Sequence, residues 1–245
     1  MRIVSMVPSW TETLLEAGLP VVGRTRFCLY PQLQVQNIPI VGGTKAVDWD
    51  SVRSLKPDIL ILDREENPRE FSEQGIPFWA SHVLDGESLQ KALQELSDLF
   101  HQSRLAQWAE WSDRLNQQEA LTFPALSSIE FENLSPWDSQ EEVTYVIWRD
   151  PWMCVSEKTY IGFVLQKIGF KLVAQLDSQN RYPTFEMDMN QNYLFSSEPF
   201  PFLKFKNQLK VQGYKGSIVD GEKVSWYGIR SLRFLQKVFS LPGLE

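Results

Sequence analysis

Apolar and polar positions along the first third of the chain fall into short blocks of two alternating kinds. Ile3-Val4-Ser5-Met6-Val7 is an apolar run that predicts a strand, broken at Pro8. A helix follows to Ala17, with Ser9 as N-cap, Glu12 completing a capping box and Gly18 placed to end it. Extended pieces are predicted at 21–25 and 38–43, and a short helix at 49–55. Ile59-Leu60-Ile61-Leu62 reads as a strand buried on both faces, Asn67-Pro68 opens a helix that Gly75 ends, and 77–80 is the next strand. Strand and helix alternate throughout, the pattern of parallel strands joined by helical crossovers, so residues 1–84 are expected to make one α/β lobe.

Residues 85–119 differ. They hold no Pro and, after Gly86, no Gly, while Leu89, Ala92, Leu93, Leu96, Leu99, Phe100, Leu105, Trp108, Trp111 and Leu115 recur at helical spacing. About 34 residues at 1.5 Å each would reach about 50 Å, enough for a rigid linking helix between lobes; the alternative is two helices with a kink near His101. Residues 120–141, with Pro124, Ser127-Ser128 and Ser135-Pro136, read as an irregular loop opening a second α/β lobe over 120–245. In that lobe strands are predicted at 143–148, 171–174, 193–195 and 217–220, and helices at 159–168 and 229–239. The expected architecture is therefore α/β: two Rossmann-like lobes with parallel sheets, joined by a long backbone helix, with a ligand cleft between the lobes.

Charge narrows the function. A net charge of −7 argues against a nucleic-acid binder, which needs cations to replace the counterions on phosphates. No run of about 18 apolar residues predicts a membrane span, and no signal-peptide pattern precedes the first strand. The chain is thus expected in the cytoplasm if residue 1 is the native start, and in the periplasm if a leader has been removed. Cys28 and Cys154 lie in no CxxC pair; two lone thiols suit a reducing compartment, with one long-range disulfide as the alternative.

Catalytic and metal chemistry find little support. His82 and His101 lie outside any metal-ligand spacing, Asp63, Glu65 and Glu66 read as solvated charges, and no GxSxG elbow or phosphate loop is present. No catalytic or metal residue is assigned. What remains is a set of loops at predicted strand ends, where parallel sheets bind ligands, rich in aromatic rings mixed with single charges. The first lobe supplies Ser9, Trp10, Tyr30, Gly43, Thr44, Arg64 and Glu66, and the second Trp148, Arg149, Trp152, Glu198, Trp226 and Tyr227. Any one of these rings is as readily a core residue as a ligand contact.

Several of these stretches carry a resemblance to a known family. Residues 2–15, Val22-Gly23-Arg24-Thr25 with Tyr30-Pro31, residues 39–44 and Leu55-Lys56-Pro57-Asp58-Ile59-Leu60 resemble the vitamin B12- and siderophore-binding receptors of ABC importers, the helical-backbone metal receptors of the class III periplasmic-binding-protein type. In the second lobe, residues 148–153, 159–162, 196–202, Asp220-Gly221-Glu222 and Ser225-Trp226-Tyr227-Gly228 are similar to a signal-less branch of that superfamily. The resemblance implies a non-enzymatic receptor holding a corrinoid or a metal chelate between its lobes, with a transporter or an enzyme as partner. It also implies acidic contacts to a permease, for which Glu70, Glu73 and Glu186 are positional candidates. Two other readings stay open: an enzyme using Glu66 and Glu198 as acid and base, and an interaction module with a collapsed cleft.

Overall fold

The computed structural model describes residues 1–173 and 180–244. The chain forms a two-lobe α/β fold. One compact unit comprises Met1–Val83, Ser88–Trp111 and Tyr227–Leu232, and the other Leu84–Glu87, Ser112–Trp226 and Arg233–Glu245.

In the N-terminal unit, β1 (Ile3–Ser5), α1 (Pro8–Glu16), β2 (Val21–Thr25), α2 (Gln32–Val35), β3 (Ile40–Gly42), α3 (Trp49–Ser54), β4 (Ile59–Asp63) and β5 (Phe78–Ser81) follow in order. The sheet runs β3-β2-β1-β4-β5 with every pairing parallel. Chain order reverses at β1, so the loops beyond the carboxyl ends of β1 and β4 flank a topological switch point. Val4, Met6, Val41, Val52, Leu60, Leu62 and Phe71 build a core on one face of this sheet. α3 starts where Asp48 Oδ1 accepts the amides of Asp50 (3.1 Å) and Ser51 (3.2 Å).

The first helix departs from its predicted start. Pro8 occupies the first turn, Val7 is the N-cap without a side-chain bond, and Ser9 lies inside the helix. Proline suits that position because its φ is already helical and it has no N–H to leave unsatisfied. The predicted helix after Asn67-Pro68 is a 3₁₀ turn, Arg69–Glu73.

The helical connection is two helices, α4 (Gly86–Phe100) and α5 (Ser103–Asn116), broken at His101, whose φ is +51°. The single rod is absent and the alternative of two helices with a kink near His101 is what forms; most of this segment belongs to the N-terminal unit. Gln102 turns back there: its Nε2 donates to the Ala17 carbonyl (2.7 Å).

The C-terminal unit contains β6 (Glu130–Ser135), β7 (Glu142–Trp148), β8 (Met153–Cys154), α6 (Tyr160–Lys167), β9 (Lys171–Leu172), β10 (Asn192–Ser196), α7 (Lys206–Gln212), β11 (Lys215–Val219), α8 (Gly221–Ser225) and α9 (Ile229–Phe239); the last of these is shared with the N-terminal unit. Its sheet is ordered β6-β11-β10-β7-β8, with β9 also on β7. The central pairings β11-β10-β7 are parallel, whereas β6 and β8 lie antiparallel at the edges, so this sheet is mixed. Part of the stretch expected as irregular is thus the edge strand β6; its alternation Glu-Phe-Glu-Asn-Leu-Ser buries little, which weakens the period-2 signal. The strand predicted at 171–174 is observed as β9, and Ala174 lies outside the described residues.

Lys167 at the end of α6 caps α5. Its Nζ donates to the carbonyls of Leu115 (3.3 Å), Asn116 (2.9 Å) and Gln118. These are acceptors that a helix end leaves unsatisfied. Lys167→Met is expected to lower stability by about 1 kcal/mol in urea unfolding, a value reduced by partial exposure to water.

Candidate functional site

At the carboxyl edge of the N-terminal sheet, two buried side chains tie four loops together. Asp63, the last residue of β4, accepts the amides of Glu65 (2.8 Å) and Glu66 (3.2 Å) on Oδ1 and the Ser81 hydroxyl (2.5 Å) on Oδ2. Ser81 Oγ in turn accepts the Trp10 indole N–H (2.8 Å). Asn67 accepts the Asp63 amide (2.9 Å) and donates to the carbonyls of Met6 (3.3 Å) and Thr44 (3.0 Å). The loops after β1, β3, β4 and β5 are therefore fixed relative to one another, as a preorganised binding edge requires.

Four sequence candidates meet this network: Ser9, Trp10, Thr44 and Tyr227. Trp10 is fully buried, edge-on to Trp79 (5.4 Å) and tilted against Tyr227 (5.3 Å). The Tyr227 hydroxyl is buried beside Ser81 and Ser9; burial, followed by the charges of Asp63 and Glu66, pushes its ionisation well above the usual phenol range. Gly43 is used in a tight turn, its amide donating to the Ala46 carbonyl (2.7 Å). Tyr30 sits under the Arg230 guanidinium, 4.0 Å from the ring centroid. Arg64 and Glu66 flank Asp63 and are exposed. Although Glu66 is exposed by surface area, desolvation by surrounding protein, with Asp63 next, raises its carboxyl above the ordinary value.

Of this edge, sequence reading missed Ser81. Ser81 carries no motif and is found only through its place at the end of β5. His82 Nε2 lies 3.5 Å from Glu65 Oε1. Phe27 (50% exposed) and Leu29 (54%) present bare apolar surface past the end of β2, with Arg26 5.8 Å from the Phe27 ring centroid.

In the C-terminal unit the loops beyond β7, β10 and β11 hold the remaining candidates. Trp148 ends β7, is 41% exposed and stands edge-on to Phe200 (5.7 Å). Arg149 donates to Gln208 Oε1 (3.1 Å), lies 3.6 Å from Asp150 and sits 5.6 Å over Trp152. Trp152 is half-buried and stacks on Phe202 (6.0 Å, 7°), so it joins the aromatic core with Phe195 and Tyr193. Glu198 accepts from Ser225 Oγ (3.1 Å) and from the Trp226 side chain. Desolvation and the Glu222 charge push its carboxyl up to about 7 against those two bonds, and Asp220 adds to the rise.

The candidates thus divide by unit. Trp10, Tyr227 and Ser9 are gathered in the first unit, with Tyr30, Gly43, Thr44, Arg64 and Glu66 on its loops; Glu198 and Trp226 form one cluster in the second, and Arg149 and Trp152 another. The rings of Trp10 and Trp152 are spent largely on packing, which a single sequence does not distinguish from ligand contact. Trp10→Phe removes the donor to Ser81 and also shrinks a fully buried ring, and is expected to lower unfolding stability by about 2–3 kcal/mol in guanidinium titration.

Reactive chemistry is weak. Cys28 and Cys154 are free and buried, which removes the disulfide alternative. Burial raises both thiols, Cys154 to about 12. Among the described residues no group of three His, Cys, Asp or Glu side chains is placed to hold a metal ion, and no helix is long and apolar enough to cross a membrane.

Comparison with known proteins gives one family match: the model of the periplasmic binding proteins covers residues 3–184. No curated protein matches the sequence. Among solved structures, the periplasmic heme binding protein HutB of Vibrio cholerae superposes with a TM-score of 0.72 at 18% identity, covering 98% of this chain and 98% of that one. The periplasmic vitamin B12 binding protein BtuF of Vibrio cholerae gives 0.67 at 19% identity, over 98% and 95%. The siderophore binding protein FhuD of the same organism, with Fe3+-Desferal bound, gives 0.63 at 18% identity, over 98% and 96%.

Proposed function

We propose, given that this chain belongs to the periplasmic binding protein family, that it is a receptor for a small metal-bearing organic molecule of the corrinoid or metal-chelate class. The observation that carries the reading is the preorganised edge of the N-terminal unit, where Asp63 and Asn67 lock four strand-end loops and leave Arg64 and Glu66 exposed beside them. The same fold serves, over nearly its whole length, proteins named for heme, vitamin B12 and an iron siderophore. The family is one of binding proteins, not enzymes, so an acid–base role for Glu66 and Glu198 falls away.

In this reading Tyr30, Thr44, Arg64 and Glu66 are the ligand contacts of the N-terminal unit, and Trp148, Glu198 and Trp226 are the candidates that the strand-end loops of the C-terminal unit carry by themselves. Ser9, Trp10, Gly43, Arg149, Trp152 and Tyr227 hold those loops in place. Aromatic faces receive the flat part of the ligand, and the charged groups orient its polar edge. A transport partner and a periplasmic setting accompany the family and belong to the same proposal.

The test is thermal denaturation with cyanocobalamin, dicyanocobinamide, haemin and ferric desferrioxamine. One of the four is expected to stabilise the protein by about 2.7 kcal/mol at 100 times its dissociation constant. No shift with any of them at high micromolar concentration would remove this ligand class. A second check uses Arg64→Ala, expected to weaken the binding of that ligand about tenfold or more with little change in unliganded stability.

A further inference from the structure

The turn after β2, in the N-terminal unit, is fixed from inside. Arg24, Thr25 and Cys28 are buried. Arg24 Nη1 donates to the carbonyls of Thr25 (3.2 Å) and Cys28 (3.1 Å), and its Nε to that of Val35 (2.9 Å). Cys28 Sγ lies 3.0 Å from Thr11 Oγ1 and 3.2 Å from Thr25 Oγ1, and the latter accepts the Phe27 amide (3.3 Å). The Arg26 amide donates to the Gly42 carbonyl (2.8 Å), which pins the turn to the end of β3. With Thr25 and Cys28 turned inward, Arg26, Phe27 and Leu29 are left exposed. A backbone bonded this thoroughly cannot fold its ring and its leucine away, and apolar surface held out on a rigid support marks a place of contact.

Charge on the same edge is unevenly matched. The Arg26 guanidinium lies 5.8 Å from the Phe27 ring centroid and crosses the backbone of Gly43, where a Cβ would stand 3.4 Å from Nε and 3.5 Å from Nη2. Among the described residues, neither the Arg26 nor the Arg64 guanidinium has a hydrogen-bond acceptor or an acidic partner. The acids nearby are already engaged: Asp63 by two amides and the Ser81 hydroxyl, Glu65 by His82 at 3.5 Å, and Glu66 by the charge of Lys45. A guanidinium offers a planar fork of N–H donors that a carboxylate fits in bidentate fashion.

We propose that Arg26 and Phe27 are ligand-contact residues that select a flat molecule carrying carboxylates on its rim. Phe27 and Leu29 receive its apolar face, and Arg26, with Arg64 as the second cation, takes the rim carboxylates. The inference rests on the reading that this edge meets the ligand, and it deepens that reading by giving the ligand a charge: an anionic macrocycle is preferred over one rimmed with neutral amides.

The test compares two corrinoids with the same ring and metal, dicyanocobyrinic acid with its free carboxylates and dicyanocobinamide with amides, titrated into the full chain and followed by tryptophan quenching. Metal-free coproporphyrin is the third probe. The acid is expected to bind about tenfold or more tightly than the amide at low salt, a preference that shrinks as salt is added. Arg26→Gln should reduce the preference to about threefold or less and leave the affinity for cobinamide little changed. Phe27→Ser should weaken both corrinoids by about tenfold with no change in the urea midpoint, because the ring is exposed. Arg69→Gln removes the same charge from the turn after β4 and should leave the preference intact. Equal affinities for the pair, a preference that survives Arg26→Gln, or the same loss in Arg69→Gln would overturn the inference. If cobinamide or ferric desferrioxamine binds without any preference for the acid, the receptor reading stands and this inference falls. If coproporphyrin binds in an Arg26-dependent way and no metal chelate does, the inference stands and the metal-bearing reading falls. Binding of none of the probes overturns both.

Discussion

Replacing Arg230 with alanine is expected to destabilise the protein by about 3–5 kcal/mol, because it strands a buried carboxylate. Arg230 Nε donates to Glu12 Oε2 (2.8 Å) and Nη2 to Oε1 (3.1 Å), in the bidentate geometry that suits a guanidinium. The side chains are 20% and 10% exposed, so water compensates little for the loss. The guanidinium also covers the Tyr30 ring at 4.0 Å. Around this pair, residues from near the end of the chain are built into the N-terminal unit: the Ile229 amide donates to Thr13 Oγ1 (3.1 Å), and a Cβ on Gly228, at φ +91°, would meet that oxygen at 2.2 Å. Urea unfolding of Arg230→Ala, Glu12→Gln and the double variant checks the claim. The double variant should lose less than the sum of the singles, since the stranded charge is then gone.

The second large effect belongs to Asp63→Ala, expected at about 3–4 kcal/mol by the same measurement. The substitution leaves the Ser81 hydroxyl and the amides of Glu65 and Glu66 without their acceptor, and it cuts the Trp10–Ser81–Asp63 chain. Asp63→Asn should cost roughly half as much, because an amide oxygen can still accept from the two backbone N–H groups while its NH₂ faces a hydroxyl able to turn. Since Arg64 and Glu66 are carried on the turn that Asp63 closes, the alanine variant should also lose ligand affinity beyond what the stability change explains. The asparagine variant should retain most of it.

Periodicity made much of this fold legible. The helix over residues 229–239 has the boundaries that its apolar spacing predicts, and the apolar run at Ile59-Leu60-Ile61-Leu62 is a fully buried parallel strand. Signals failed where an element buries little or where local chemistry had two solutions. β6 buries only Leu134 at a sheet edge, His101 interrupts a stretch without Gly or Pro, and Pro8 displaces Ser9 from the cap. The loops of the candidate site were identifiable from strand-end position, but the division of labour within them was not. Trp10 and Trp226 look alike as letters; one fills a core and the other bonds to a carboxyl. Glu12 and Arg230 stand 218 positions apart, so no local pattern could pair them.

The central claim is that this chain carries a small metal-bearing organic ligand on loops that the fold has already set in place. Native mass spectrometry of the protein from its own cells, with a visible absorption spectrum of the same sample, tests it most directly. The account predicts the 28.4 kDa chain with one non-covalent organic adduct that absorbs visible light, contains a metal and leaves on denaturation. A colourless protein at the bare chain mass, unchanged after incubation with cobalamin, cobinamide, haemin and ferric desferrioxamine, would contradict it.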